Sequence, residues 1–152
     1  MNKIFQERID KLSSQFVTLQ NCKSIKRDNL SSVPNRGIYL FIVKGIPIYV
    51  GRTNRMRARL LEHSRPSSKH NAASFAFKLA KEQANKMCID TKLKRSALVK
   101  DKKFNKLFSK SKQQVAAMDI KYIEINNPIE QYLFELYVSE MLKTPYNDFE
   151  NH

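Results

Sequence analysis

The chain of 152 residues contains no tryptophan, only three glycines and only two cysteines. Cys22 and Cys88 lie far apart and lack the paired spacing of a zinc site, so we predict reduced thiols in a cytoplasmic protein without a disulfide framework. With so few glycines, the sequence has no glycine-rich phosphate loop, nucleotide fingerprint or flexible linker. Its apolar runs are far shorter than a membrane span, and no signal-peptide pattern is visible. We therefore expect no membrane partner.

Acidic residues are also scarce, at 14 Asp+Glu against 28 Lys+Arg, which gives a formal charge of +14. Such an excess destabilises the fold through self-repulsion, but it speeds encounter with polyanions. The composition therefore favours a nucleic-acid partner.

The positive charge is concentrated between Lys92 and Lys112, where nine Lys or Arg residues accompany a single acid, Asp101. Leucine and phenylalanine interrupt the charges at helical spacing, which predicts one or two amphipathic helices. Two interpretations are open: a solvated face over a buried seam, or an insertion that binds the DNA backbone. In the second interpretation, the candidate contacts are Lys94, Arg95, Lys102, Lys103 and Lys106.

Strand and helix patterns alternate along the chain. Two short apolar strands on either side of Lys44-Gly45 predict a hairpin, and residues 118–125 alternate as a third strand paired with it. Helices are predicted over 1–20, 55–63, 72–85 and from Pro128 onward. His70 and Asn71 lie at the start of the third, where they either contact a phosphate or serve as its N-cap. We predict one α+β domain over 1–152: a small three-stranded antiparallel sheet flanked by helices, an N-terminal helical extension (1–35) and a basic helical insertion (about 65–117).

Two triplets frame the hairpin, Gly37-Ile38-Tyr39 and Tyr49-Val50-Gly51. Side chains alternate along a strand, so a hairpin brings the two phenols close together, with a glycine that leaves room for a ligand. Tyrosine also favours strands for reasons of packing alone.

A basic segment follows the second triplet, with Arg52, Arg55, Arg57 and Arg59 within eight residues. On a helix, Arg55, Arg59 and His63 form one column, and their mutual repulsion suggests that something anionic lies opposite. The alternative is a solvated basic face.

The last helix has a clear start, with Asn127 as N-cap, Pro128 at the first position and Glu130 completing a capping-box-like arrangement. Apolar residues cover most of its circumference, so we expect it to be largely buried. A buried acid on it needs a partner, and Mg²⁺ is a suitable one. Glu135 and Glu140 are the two candidates, and Glu140 falls within the apolar stripe by angular position.

These residues together resemble the GIY-YIG nuclease superfamily. The two triplets match its motif order, Arg59 lies ten residues past the second tyrosine, and Glu135 precedes Asn147 by twelve residues. The resemblance implies a GIY-YIG-like fold, phosphodiester hydrolysis with Mg²⁺ (Mn²⁺ can substitute), and Glu135 as the metal ligand.

The resemblance also implies roles for the other side chains. Arg59 would hold a phosphate oxygen, and Asn147 would position the loop or the phosphate. Tyr39 is the favoured general base, with Tyr49 orienting water or phosphate, and His63 is the alternative base because its ordinary pKa of about 6.5 is near neutrality. The remaining candidate substrate contacts are Gly51, Arg52, Arg55 and His70.

We expect a stand-alone Mg²⁺-dependent endonuclease of restriction or mobile-element type acting on double-stranded DNA, where two subunits could cooperate as a homodimer. The alternatives are a structure-selective repair or junction nuclease and a catalytically silent nucleic-acid-binding protein.

Overall fold

A computed structural model describes residues 2–149, with three strands and six helices among them. In chain order they are α1 Lys3–Asn21, β1 Gly37–Val43, β2 Ile46–Thr53, α2 Met56–Glu62, α3 Ser74–Lys86, α4 Arg95–Leu98, α5 Lys102–Ala116, β3 Asp119–Glu124 and α6 Pro128–Leu142. The predicted α+β fold with a three-stranded antiparallel sheet is confirmed. None of the helices in the described range is long and apolar enough to cross a membrane.

The chain divides into two compact units. One runs to Arg57 and resumes at Asp119, and it contains the sheet, α1 and α6. The other is Ala58–Met118 and contains α3, α4 and α5. The single domain with an insertion at about 65–117 stays a prediction.

The sheet has the order β2-β1-β3, so β1 is the central strand and β2 lies at an edge. Both pairings are antiparallel, and Tyr39 lies opposite Gly51 on one side and Tyr122 on the other. One face of the sheet packs against α1 and α6 to form a buried apolar core. Its members are Leu12, Phe16, Leu19, Ile38, Leu40, Ile42, Val50, Ile125, Phe134 and Val138.

Two glycines of the triplets are required by close packing. A Cβ on Gly37 would overlap the main-chain carbonyl oxygen of Ile123, and a Cβ on Gly51 would overlap the phenol ring of Tyr39. The space at Gly51 that the sequence suggested for a ligand is therefore filled by Tyr39, and the expectation of ligand room there is wrong.

The segment after α6 covers the outer edge of β2. The Asn147 side chain accepts a hydrogen bond from Val50 N–H at 2.9 Å and donates one to Val50 C=O at 2.7 Å. The Tyr146 N–H donates to the Ile48 carbonyl at 3.3 Å. An unpaired strand edge exposes main-chain groups that need partners, and Asn147 supplies them where Tyr49 and Gly51 adjoin Val50.

Helix α6 begins as predicted, because the Asn127 side chain accepts hydrogen bonds from the main-chain N–H groups of Ile129 and Glu130. Glu130, however, does not close the expected capping box with its carboxylate. That carboxylate accepts a hydrogen bond from Lys11 Nζ of α1 at 3.2 Å. The helix ends at Leu142, followed by Lys143 in the left-handed region.

The expected burial of α6 is wrong. Phe134 and Val138 are fully buried, but Ile129, Tyr132, Leu136 and Met141 are 46–57% exposed. One stripe of the helix therefore faces the core while apolar side chains elsewhere meet solvent. Glu140 is exposed too, so its expected place in a buried stripe is also wrong.

The second unit is built around aromatic contacts between α3 and α5. The ring centroid of Phe77 lies 5.2 Å from that of Phe104 and 5.9 Å from that of Phe108. Helix α3 begins at Ser74, with Ala73 at the cap position and no capping side chain, so the expected N-cap role of His70 and Asn71 is wrong.

The packing at Gly51 predicts a coupled effect on stability. Gly51→Ala should lower the free energy of unfolding by about 1–3 kcal/mol through overpacking against Tyr39. Tyr39→Leu also destabilises, but it removes the ring that the new methyl group would meet. In urea denaturation, the double variant should therefore lose less than the sum of the two single losses. Simple additivity would contradict this packing.

Candidate active site

The two triplet tyrosines lie on one face of the sheet, together with Phe41. The ring centroids of Tyr39 and Tyr49 are 6.4 Å apart, and each lies about as close to the Phe41 ring, at 5.7 and 6.3 Å. Tyr39 is only 1% exposed, whereas Tyr49 on the edge strand is half-buried. The hairpin thus brings the phenols together as predicted, and Tyr49 is the more accessible of the two.

Glu135 meets Arg52, which lies two residues beyond Val50 on β2. Arg52 Nε is 3.0 Å from Glu135 Oε2, and the guanidinium carbon lies 3.5 Å from the centre of the Tyr132 ring. The buried Nε is poorly aligned for a hydrogen bond despite that distance, so the attraction between the two charges contributes more to the pair than the hydrogen bond does. The predicted substrate contact Arg52 is therefore engaged within the chain by the predicted metal ligand.

Burial makes the Glu135 carboxylate costly to ionise. Its side chain is 17% exposed. Desolvation raises the pKa of Glu135 above its ordinary value, and the positive charge of Arg52 opposes that shift without cancelling it. A carboxylate in this state gains from a stronger or additional cation.

The two tyrosine side chains and the Arg52–Glu135 ion pair lie on different faces of the sheet. Val50 belongs to the core that packs against α6, so alternation sends Tyr49 and Gly51 to the opposite face and returns Arg52 to the side of α6. Both groups are carried by β2, which is an edge strand. They can serve the same phosphate only at the rim of the sheet, next to the outer edge of β2.

Among residues 2–149, no group of three or more His, Cys, Asp or Glu side chains is placed to share a metal ion. Glu135 would therefore be a lone carboxylate ligand. That donor set fits Mg²⁺, which commonly keeps several waters and takes further oxygen ligands from a phosphate.

Arg59, in the second unit, has partners within that unit. Its Nη1 donates to the Ala72 carbonyl oxygen at 2.6 Å and lies 3.5 Å from Glu62 Oε2. The anion that the basic column suggested is thus supplied in part by Glu62. The column itself extends beyond α2 at both ends, since Arg55 precedes Met56 and His63 follows Glu62. A phosphate contact of Arg59 stays a prediction.

His63 is fully buried, with its ring edge-to-face against Phe75 at a centroid distance of 6.4 Å. Burial first, and the charge of Arg59 second, hold the pKa of His63 well below its usual range. The imidazole is therefore neutral at neutral pH. Its enclosure makes it a poor candidate for a base that must meet water.

The basic segment presents most of its charges to solvent, including the five predicted backbone contacts. The exposed cations are Lys92, Lys94, Arg95, Lys100, Lys102, Lys103, Lys106 and Lys110. Lys112 is the exception, because it is buried and its Nζ donates to the carbonyl oxygens of Pro66 and Ser68 at 2.7 and 3.0 Å. Half-buried His70 and exposed Arg95 both lie near the Phe77 ring, at 6.1 and 5.0 Å.

Tyr132 is a neighbour of the site. It belongs to the apolar residues of the last helix that the sequence pattern predicted to be largely buried. It precedes Glu135 by three residues on α6, a spacing that puts two side chains on one side of a helix. That spacing was the available signal. The contact with Arg52 could not be read from it, because it depends on how α6 lies against β2.

No family model and no curated protein sequence matches this chain. Among solved structures, it is similar to the GIY-YIG N-terminal endonuclease domain of UvrC from Thermotoga maritima bound to magnesium, with a TM-score of 0.44, 19% identity, and coverage of 80% of this chain and 94% of that one. An asparagine-to-alanine point mutant of that domain, bound to its catalytic divalent cation, has a TM-score of 0.44 and 18% identity, and the match covers 80% of this chain and 93% of that one. Because the identity and the TM-score are both low, we infer function from the chain's own residues.

The buried His63 predicts a specific pH dependence of stability. The unfolded chain takes up a proton at this site below about pH 6.5 and the folded chain does not, so stability should fall as the pH drops from there towards the lower folded pKa. The slope for one proton is at most about 1.4 kcal/mol per pH unit. In thermal denaturation between pH 7 and 5, His63→Gln should lose less stability per pH unit than the wild type. An unchanged slope would contradict a neutral, buried His63.

Proposed function

We propose that this chain is a divalent-metal-dependent endonuclease of GIY-YIG type that hydrolyses phosphodiester bonds in DNA. The observation that carries the proposal is the desolvated Glu135 carboxylate, held beside Arg52 on the edge strand that also bears Tyr49. The order and spacing of the triplets, Arg59, Glu135 and Asn147 support the same reaction.

Phosphodiester hydrolysis needs charge stabilisation on the phosphoryl oxygens, an activated water and help for the departing oxygen. Glu135 would hold a divalent cation, which would supply positive charge to the phosphoryl group and the departing oxygen. Arg52 presents a guanidinium beside the same position, where its planar fork suits a phosphate. Arg59 contributes a second guanidinium, and Asn147 holds the strand that carries Tyr49 and Arg52.

Accessibility favours Tyr49 over Tyr39 as the general base. Tyr39 fills the space above Gly51 and is almost fully enclosed, whereas half-buried Tyr49 lies on the edge strand where water can reach it. A base must come within hydrogen-bond reach of the proton it removes. We therefore assign proton abstraction to Tyr49 and the support of its ring to Tyr39.

In this proposal, exposed cations at the start of α4 and on α5 bind the DNA backbone. Lys94, Arg95, Lys102, Lys103 and Lys106 are exposed and need no rearrangement to contact phosphates. Lysine-rich surfaces contact the backbone in a sequence-independent way. In this proposal the enzyme is of restriction or mobile-element type and acts on double-stranded DNA. It uses Mg²⁺, for which Mn²⁺ can substitute, and it works as a homodimer on DNA in the cytoplasm. Cleavage of flap or junction substrates, with intact plasmid left uncut, would instead identify a structure-selective nuclease.

Replacing the metal ligand should separate activity from stability. Glu135→Gln should lower the rate of Mg²⁺-dependent plasmid cleavage on the order of a thousandfold, because metal stabilisation of the transition state contributes several kcal/mol. Burial raises the pKa of Glu135, so ionisation of this carboxylate costs folded-state stability as the pH rises above the unfolded value. The melting temperature of Glu135→Gln should therefore rise relative to that of the wild type as the pH increases from acidic to neutral.

Glu140→Gln is the matched control, because Glu140 is an exposed acid on the same helix. It should cut plasmid at the wild-type rate. Loss of activity in Glu140→Gln together with full activity in Glu135→Gln would reverse the assignment of the metal ligand.

The DNA-binding surface can be tested through salt dependence. The double variant Lys103→Gln/Lys106→Gln should weaken DNA binding and reduce the slope of log K against log salt by about 2, since each phosphate contact contributes about 0.9. Lys3→Gln/Lys23→Gln removes the same charge from exposed positions outside this surface. Fluorescence anisotropy at several salt concentrations measures both. Equal slopes in the two double variants would show that α5 does not contact the backbone.

A further inference from the structure

The cation nearest to the proposed metal ligand belongs to the chain itself. Arg52 Nε lies 3.0 Å from Glu135 Oε2, the distance of a direct ion pair. The guanidinium therefore sits against a carboxylate oxygen that a divalent ion would use. A divalent ion that coordinated this oxygen directly would compete with Arg52 for it.

Charge disfavours the simultaneous presence of both cations, even when each contacts a different carboxylate oxygen. Arg52 and Glu135 together carry no net charge, so adding a divalent ion without moving Arg52 places three positive charges around one negative charge. The site is largely desolvated, as the limited exposure of Glu135 and the buried Nε indicate. Repulsion between neighbouring cations is stronger in such surroundings than in water.

Two features of the pair make exchange feasible. The N–H of Nε is poorly aligned for a hydrogen bond, so displacement of Arg52 breaks mainly a charge contact. The Arg52 side chain is also 34% exposed, which gives the guanidinium a path away from the carboxylate.

Tyr132 holds Arg52 in its resting position. The guanidinium carbon lies 3.5 Å from the centre of the ring, within the range of a cation–π contact. Tyr132 is 57% exposed and lies outside the core cluster, so its ring is largely available to Arg52 rather than to packing.

We propose that Arg52 is a tethered counter-ion that competes with the divalent metal for Glu135, is released by metal binding to contact the substrate phosphate, and is retained in the resting state by Tyr132. This inference rests on the proposed function, because it takes Glu135 to be the metal ligand. It makes Arg52 a residue that lowers metal affinity and yet assists the reaction, and it makes Tyr132 a positioning residue.

The test is Mn²⁺ binding to the full-length protein without DNA, measured from the electron paramagnetic resonance of free Mn²⁺. Arg52→Gln should bind Mn²⁺ about tenfold more tightly than the wild type, because a charged competitor is removed. Tyr132→Leu should tighten binding about two- to fivefold, since it weakens only the retention of Arg52. In plasmid cleavage at saturating Mn²⁺, Arg52→Gln should nevertheless have a lower kcat than the wild type.

Two further variants make the result specific. Arg57→Gln removes the same charge from an exposed position and should leave Mn²⁺ affinity within about twofold of the wild type, because exposed charges are screened. Arg52→Lys keeps the charge, and its affinity should lie between those of the wild type and Arg52→Gln.

Unchanged or weaker Mn²⁺ binding in Arg52→Gln would overturn the competition. If the wild type still binds Mn²⁺ and Glu135→Gln does not, the metal site survives that result. Absence of Mn²⁺ binding in both the wild type and Arg52→Gln would overturn the proposed function as well.

Discussion

Pairing of β1 with β2 in the register that sets Tyr39 opposite Gly51 determines on which face of the sheet Tyr39, Tyr49 and Arg52 lie. The ring of Tyr39 occupies the place of a side chain at Gly51, so this register tolerates no larger residue there. Because side chains alternate, the same register sends Tyr49 to one face of the sheet and Arg52 to the other. The groups can meet only at the rim, beside the outer edge of β2.

The rim is held by contacts that have no catalytic role of their own. Asn147 satisfies both main-chain groups of Val50 with one side-chain amide. That residue lies between Tyr49 and the Gly51-Arg52 pair, so the amide fixes the segment that presents both the phenol and the guanidinium. A preorganised strand of this kind lowers the cost of assembling reactive groups around a phosphate.

Electrostatic cost is concentrated where the reaction is proposed to occur. Most of the excess positive charge is exposed, and water screens it. The Glu135 carboxylate is instead desolvated. Its counter-ion among the described residues is Arg52, whose Nε is poorly aligned for a hydrogen bond. The negative charge of Glu135 is incompletely neutralised in the resting protein, which favours binding of a divalent cation. The same desolvated charge lowers the stability of the folded state.

Periodicity and caps predicted most of the fold, because these signals are local. The hairpin, the third strand and the start of α6 at Asn127 follow from residues close together in the chain. The burial of α6 was misjudged, since Tyr132 and Leu136 are apolar but no other element among the described residues covers them fully. The start of α3 was misjudged because His70 and Asn71 belong to the preceding turn.

The site was harder to predict than the fold. Motif spacing indicated Tyr39, Tyr49, Glu135 and Asn147, but their contacts depend on tertiary packing. That Glu135 meets Arg52, and that Tyr39 fills the space at Gly51, follows from strand register and from the way α6 lies on β2. Neither can be derived from the spacing of residues along the chain.

The proposed function depends on binding of the divalent cation by Glu135 at the rim of the sheet. Anomalous diffraction from crystals of the protein soaked in Mn²⁺ tests it most directly. We predict one strong peak in coordination contact with a Glu135 carboxylate oxygen, with the Arg52 guanidinium moved away from that carboxylate. A peak at another group of side chains, with the Arg52–Glu135 pair intact at saturating Mn²⁺, would contradict this account.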